Sequence, residues 1–105
     1  MVVVVTITSC VAVKLAIPSQ GDIDRVHSKF PNYSLAELNQ GKALFETKCN
    51  TCHGVKNPMR FKESEWNELV PKMVRKANKK GANIDDKSQE LILKYVITMG
   101  TAPKN

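Results

Sequence analysis

Residues 34–53 read SLAELNQGKALFETKCNTCH and decide the fold of this 105-residue chain. Ser34 followed by Glu37 is a capping box, in which each side chain bonds the backbone amide of the other residue at the start of a helix. Apolar residues then recur at helical spacing toward Cys49. We therefore predict a helix from about residue 35 to residue 48, leading directly into the segment CNTCH at residues 49–53.

A second periodic stretch follows Ser64. Apolar residues recur there at intervals of three and four from Trp66 to Ala77, flanked by lysines, which predicts an amphipathic helix. Pro71 lies inside it, and proline removes a helical hydrogen bond and clashes with the preceding turn. We therefore expect a kink or a break near residues 67–70.

The last helix is predicted from Asp85 or Asp86, where a carboxylate can accept amide hydrogen bonds, to Gly100, where glycine ends it. Sustained two-residue alternation, the pattern of strands, is absent after Pro18. The sequence therefore predicts an all-α domain with three main helices.

The segment at residues 49–53 has a specific chemistry. Cysteines three positions apart on a helical turn project to the same side, where both can form thioether bonds to the vinyl groups of a porphyrin. The adjacent histidine reaches the iron. Cys49, Cys52 and His53 are therefore predicted to hold one haem c covalently, with His53 as an iron ligand.

Three other interpretations of this segment stay open. A structural zinc site needs four ligands, and outside the motif the further cysteines and histidines are Cys10 and His27. A thioredoxin-like redox motif belongs at the end of a strand, whereas a capped helix precedes this one. A disulfide between the two cysteines leaves the adjacent histidine without a role.

Two stretches resemble class I c-type cytochromes. Residues 41–45, GKALF, ahead of CNTCH are similar to the GxxxF helix that leads into CxxCH in that family, and Tyr95 stands where the family has an aromatic on its last helix. The resemblance covers roughly residues 35–99. It implies a cytochrome c-like bundle of three main helices around one covalent haem, with Gly41 and Phe45 packed against Tyr95, and electron transfer without enzymatic catalysis.

The resemblance also implies a sixth iron ligand. Residues 71–73, PKM, are similar to the family's proline-containing ligand segment, so Met73 is the candidate, with Trp66 as a wall of the haem crevice. Met73 lies closer to His53 than is usual in the family, and its alternative role is in the core. The family also uses a proline carbonyl to orient the ligating histidine, which points to Pro58. The other candidates for this sixth ligand are Met59, Met99 and His27.

Two functions are compatible with these residues. If His53 and Met73 both bind the iron, the protein shuttles single electrons between respiratory redox partners. If Met73 belongs to the core, the distal site is open for gas binding or peroxide reduction. The same chemistry also suits the haem subunit of a larger oxidoreductase.

The first 31 residues read differently from the rest. Residues 1–9 with Cys10 resemble the tail of a bacterial lipoprotein signal peptide, whose lipidated cysteine becomes the mature N-terminus, although no Lys or Arg precedes Cys10. Residues 10–31 are then a tether with a short helix near residues 20–30, and residues 32–105 form the cytochrome domain. This interpretation predicts an exported, periplasmic-side protein that is lipid-anchored to a bacterial membrane. The alternative is a β-branched strand with a buried free cysteine.

The chain is basic, with 16 Lys and Arg against 10 Asp and Glu and a formal net charge of +6. The lysines lack the interleaved aromatics that single-stranded nucleic-acid binders use for stacking, so we expect no nucleic-acid partner. We expect redox proteins with acidic docking surfaces instead. The alternative is a solvated face that keeps the protein soluble.

Overall fold

A computed structural model of the chain describes residues 16–49 and 57–102, with only the backbone of Cys49. The four α-helices of the described residues are α1 Gln20–Arg25, α2 Leu35–Leu44, α3 Glu63–Lys79 and α4 Asp86–Gly100. A π-helical turn, Phe45–Cys49, continues α2, and a 3₁₀ turn, Pro58–Arg60, precedes α3. No strand occurs within these two ranges, and the predicted all-α class is confirmed.

The start of α2 is the predicted capping box. The Glu37 amide donates to Ser34 Oγ at 3.1 Å, and the Ser34 amide donates to the Glu37 carboxylate at 3.2 Å. The helical path then continues to Cys49 but widens over its last five residues into a π-helical turn. There the Thr47 hydroxyl donates to the Ala43 carbonyl at 2.7 Å. π-Helical turns occur frequently at functional sites, and this one leads into residues 49–53.

Helices α2 and α4 approach each other closely at Gly41. A Cβ atom at this position would overlap the Leu91 carbonyl oxygen and lie 2.8 Å from Tyr95 Cβ. One helical turn later, the Phe45 and Tyr95 ring centroids are 5.4 Å apart, and both rings are fully buried. Burial raises the pKa of the Tyr95 hydroxyl well above its ordinary value. The expected packing of Gly41 and Phe45 on Tyr95 is therefore present.

Helix α3 runs uninterrupted from Glu63 to Lys79 with Pro71 inside it. The predicted break therefore does not occur, and the kink that was its alternative stays a prediction. The buried stripe of α3 lies on both sides of Pro71 and packs against one core, so tertiary contacts hold the two halves in one helix. Pro71 withholds the amide that would bond the Asn67 carbonyl, and the exposed position of Asn67 lets water replace that donor. The residues of the stripe are Trp66, Val70, Val74 and Ala77.

Helix α1 lies within the segment predicted as a tether and packs on the helical body through the buried residues Ile23 and Val26. Arg25 holds it there, because its guanidinium pairs with Asp22 at 2.6 Å and also donates to the Thr98 carbonyl in the last turn of α4. Burial alone would raise the pKa of the Asp22 carboxyl, but hydrogen bonds from Arg25 and Ser19 hold it below its ordinary value. The domain boundary between residues 31 and 32 stays a prediction.

Replacement of Gly41 by alanine tests the crossing of α2 and α4. The added methyl group must push the helices apart, so we expect Gly41→Ala to lower the free energy of unfolding by about 1–3 kcal/mol, measured by urea titration. Gly21→Ala is the matched control, because a Cβ there meets only Ser19 Oγ at 3.6 Å. It should be neutral or stabilising by up to about 1 kcal/mol. Equal effects of the two substitutions would contradict the proposed close approach.

Candidate haem site

The structure leaves part of the predicted site undescribed. Cys52 and His53 lie outside the described residues, as does Cys10, and for Cys49 only the backbone is given. What the structure does describe is how the chain enters and leaves the segment between residues 50 and 56.

The entry side is the π-helical turn, which is held by contacts to three other elements. Phe45 is buried, with its ring centroid 5.4 Å from that of Tyr95 on α4 and 6.1 Å from that of Trp66 on α3. Lys48 Nζ donates to the carbonyl of Ala82, in the loop between those helices, at 3.1 Å. The backbone of Cys49 therefore stands at the end of a turn that is fixed on the body of the protein.

The return side is the 3₁₀ turn. The Asn57 side chain caps this turn by accepting a hydrogen bond from the Met59 amide at 2.9 Å. Pro58 is buried against the end of α4, where a Cβ on Gly100 would come within 2.7 Å of the Pro58 carbonyl oxygen. Glycine at position 100 thus permits the chain to return close to α4.

Trp66 links the two sides. Its indole N–H donates to the Pro58 carbonyl at 2.7 Å, and its ring meets Phe45 and Phe61 edge-to-face, with centroids 6.1 and 5.0 Å apart. The whole side chain is buried. The residue predicted as a crevice wall therefore lies between the entry and the return of the segment carrying Cys52 and His53.

The Pro58 carbonyl was expected to orient His53, and in the described residues it accepts from Trp66. A carbonyl oxygen has two lone pairs, so it retains capacity for one further donor. The orientation of His53 by Pro58 stays a prediction.

Met73 lies at the edge of the buried stripe of α3. It is half-buried and packs against the core, on the same helix edge as half-buried Leu69 one turn earlier. Of the other residues considered as ligands, Met99 is buried on α4, Met59 is half-buried, and His27 is exposed. Met73 therefore combines contact with the core and partial exposure.

The sequence interpretation missed the link between Trp66 and the 3₁₀ turn, although a local signal for part of it exists. Phe61 immediately precedes the N-cap of α3 and packs on Trp66, which is the hydrophobic staple of helix starts. The Lys62 amide donates to Glu65 at 2.9 Å, which is half of a capping box. The pattern FKESEW at residues 61–66 carries both signals.

The side chains that the structure describes beside the segment are of types that can pack against a covalent porphyrin. Both sides of the segment meet at aromatic rings, those of Phe45, Trp66 and Phe61, and the half-buried Met73 lies on the same helix as the tryptophan. Within the same residues, no three His, Cys, Asp or Glu side chains come together as a metal site. No helix in this part of the chain is long and apolar enough to cross a membrane.

Comparison with known proteins adds no relative: the chain matches no family model, and no similar curated protein or solved structure was found.

Removal of the Trp66 donor tests the link between the two sides of the segment. Trp66→Phe keeps an aromatic ring but leaves the buried Pro58 carbonyl without this hydrogen bond, so we expect a loss of about 1–3 kcal/mol in the free energy of unfolding. Asn39→Ala, which removes an exposed bond to the Leu35 carbonyl, is the control and should change it by less than about 0.5 kcal/mol. A Trp66→Phe variant as stable as the parent protein would show that the bond does not hold the turn.

Proposed function

We propose that this chain is a monohaem c-type cytochrome with a class I helical frame, which carries single electrons between respiratory redox partners. The observation that carries the proposal is the junction of a CNTCH segment with a helix whose Gly41 and Phe45 pack on Tyr95. The motif comes from five consecutive residues, while the packing joins helices far apart in sequence. These two observations are independent, and both support the same family.

In this proposal each residue of the site has a separate role. Cys49 and Cys52 hold the porphyrin by thioether bonds, His53 is the proximal ligand, and Met73 is the distal ligand. The bound haem supplies a one-electron couple, and a thioether ligand favours the reduced state. Trp66 and Phe45 contribute apolar surface that keeps water from the site.

The anchored ends of the segment support electron transfer in particular. A carrier works best when little of the structure must rearrange between its two oxidation states. The ring contacts of Phe45 and the hydrogen bond from Trp66 to Pro58 hold the chain on both sides of the segment. The chain's own contribution is therefore a fixed frame around the ligands.

The proposal includes export and a lipid anchor at Cys10. Ser19, the N-cap of α1, follows Cys10 by nine positions. Nine residues span at most about 30 Å. A lipid on Cys10 would therefore keep the packed domain within that distance of the membrane surface.

Covalent attachment is the first test of this function. The protein is expressed with a c-type maturation system and analysed by its pyridine haemochrome spectrum and by haem staining of a denaturing gel. We expect one haem per chain that stays on the denatured polypeptide, and no covalent haem when both Cys49 and Cys52 are replaced by alanine. Protein that matures without haem, and instead contains zinc or a disulfide between these cysteines, would refute the proposal.

Carbon monoxide tests the sixth ligand, because it binds ferrous haem only where the distal position is open. We expect the ferrous spectrum of the parent protein to stay unchanged on adding the gas, and that of Met73→Leu to shift. Met99→Leu is the matched control, since it makes the same substitution at a methionine buried on α4. A shift in the parent protein would favour the gas-binding or peroxide-reducing alternative. An unchanged Met73→Leu spectrum would assign Met73 to the core.

A further inference from the structure

In the described part of the chain, three polar side-chain atoms are buried and make no hydrogen bond to the protein. They are Arg25 Nε, Tyr33 Oη and Thr98 Oγ1. Buried polar groups are nearly always hydrogen-bonded, because the loss of their contacts with water must be compensated. The three atoms belong to α1, to the connection between α1 and α2, and to α4. Their surroundings therefore indicate what they bind.

Thr98 lies within α4, and its side chain is completely buried. A threonine in a helix commonly donates to the carbonyl four residues earlier, as Thr47 and Thr101 do at 2.7 and 2.9 Å. Thr98 makes no such bond within the described residues. Its hydroxyl therefore faces a group outside its own helix.

The Tyr33 side chain is held with its hydroxyl inside the protein. Its ring meets Phe30 edge-to-face with the centroids 5.6 Å apart, and Lys94 Nζ lies 5.6 Å from the centre of the Tyr33 ring. Burial raises the pKa of the Tyr33 hydroxyl well above its ordinary value. The hydroxyl therefore stays protonated and can both donate and accept a hydrogen bond.

The three buried polar atoms lie around Thr98. The Arg25 guanidinium donates through Nη2 to the Thr98 carbonyl and pairs through Nη1 with Asp22 at 2.6 Å. The Thr98 side chain also interacts with the Tyr33 hydroxyl, although the two hydroxyls do not reach hydrogen-bond geometry. Arg25 and Tyr33 thus both approach Thr98, and their remaining polar atoms are close together without bonding one another.

The chemistry of these atoms selects the ligand. Arg25 Nε is only a donor, whereas each hydroxyl donates and accepts, so the ligand must accept at least one hydrogen bond. An anion would be repelled by the Asp22 carboxylate, which already pairs with the guanidinium, and a cation would be repelled by the guanidinium itself. A water molecule is neutral, donates and accepts, and makes about three hydrogen bonds when it is buried.

We propose that Arg25 Nε, Tyr33 Oη and Thr98 Oγ1 form a binding site for one internal water molecule. The water accepts from the Arg25 Nε–H and bridges the two hydroxyls. It joins α1 and the connection after it to the last helix, across the predicted boundary between residues 31 and 32. This inference goes beyond the proposed function and does not depend on haem.

A high-resolution crystal structure of the intact protein tests whether the site is occupied. We expect one ordered water molecule within hydrogen-bond distance of Arg25 Nε, Tyr33 Oη and Thr98 Oγ1. A direct hydrogen bond between the two hydroxyls, or three polar atoms with no water among them, would overturn the inference.

Substitutions that remove one hydroxyl with little change of shape test the contribution of the water to stability, by urea titration. We expect Tyr33→Phe and Thr98→Val each to raise the unfolding equilibrium constant about fivefold, because each leaves the water with one partner fewer. The double variant should raise it by less than the product of the two effects, since both hydroxyls bind the same water.

Thr47→Val is the matched control, because it removes an exposed hydroxyl that bonds within its own helix. It should change the unfolding constant by less than about twofold. If neither Tyr33→Phe nor Thr98→Val lowers the stability, the inference is overturned, because removing a hydroxyl that binds nothing costs nothing. A failed test of covalent haem attachment would leave all of these expectations unchanged.

Discussion

The close approach of α2 and α4 at Gly41 is the constraint on which the other contacts depend. With no side chain at this position, the backbone of one helix reaches the Leu91 carbonyl and the Tyr95 side chain of the other. The close approach of the two helices determines where Phe45 meets Tyr95. Phe45 in turn holds the π-helical turn that ends at Cys49. The start of the CNTCH segment is thus positioned by a helix contact that only glycine permits, at Gly41, about two turns before Cys49.

Trp66 is the second centre of the structure and connects elements that the crossing alone would leave apart. It brings together the turn before the segment, the 3₁₀ turn after it, and the start of α3. A large aromatic with one polar atom suits this position, because its ring fills the core and its N–H satisfies a buried carbonyl.

The sequence was most informative where the determining contacts are local. Ser34 with Glu37 located the start of α2, and Asp85 caps α4 by accepting from the Ser88 amide at 2.7 Å. No break occurs at Pro71, because core contacts on both sides of it outweigh the preference of one residue, while the kink stays a prediction. Two contacts could not be predicted from the sequence: the hydrogen bond from Trp66 to Pro58 and the packing of α1 through Arg25. Each joins residues whose separation in the sequence follows no helical or strand periodicity. For Cys52 and His53 the chemistry is predictable from their order, whereas their geometry lies outside the described residues.

The Arg25 contact gives the chain a mechanical property. Arg25 attaches α1 to the end of α4, the helix that also forms the crossing at Gly41. A pull on the chain ahead of Ser19 would be carried by this contact and by the buried side chains of Ile23 and Val26. The load would pass into α4, which also contacts Phe45 through Tyr95 and Pro58 through Gly100. Tension applied at the N-terminal side would therefore reach the helix that holds both ends of the segment predicted to bind the haem.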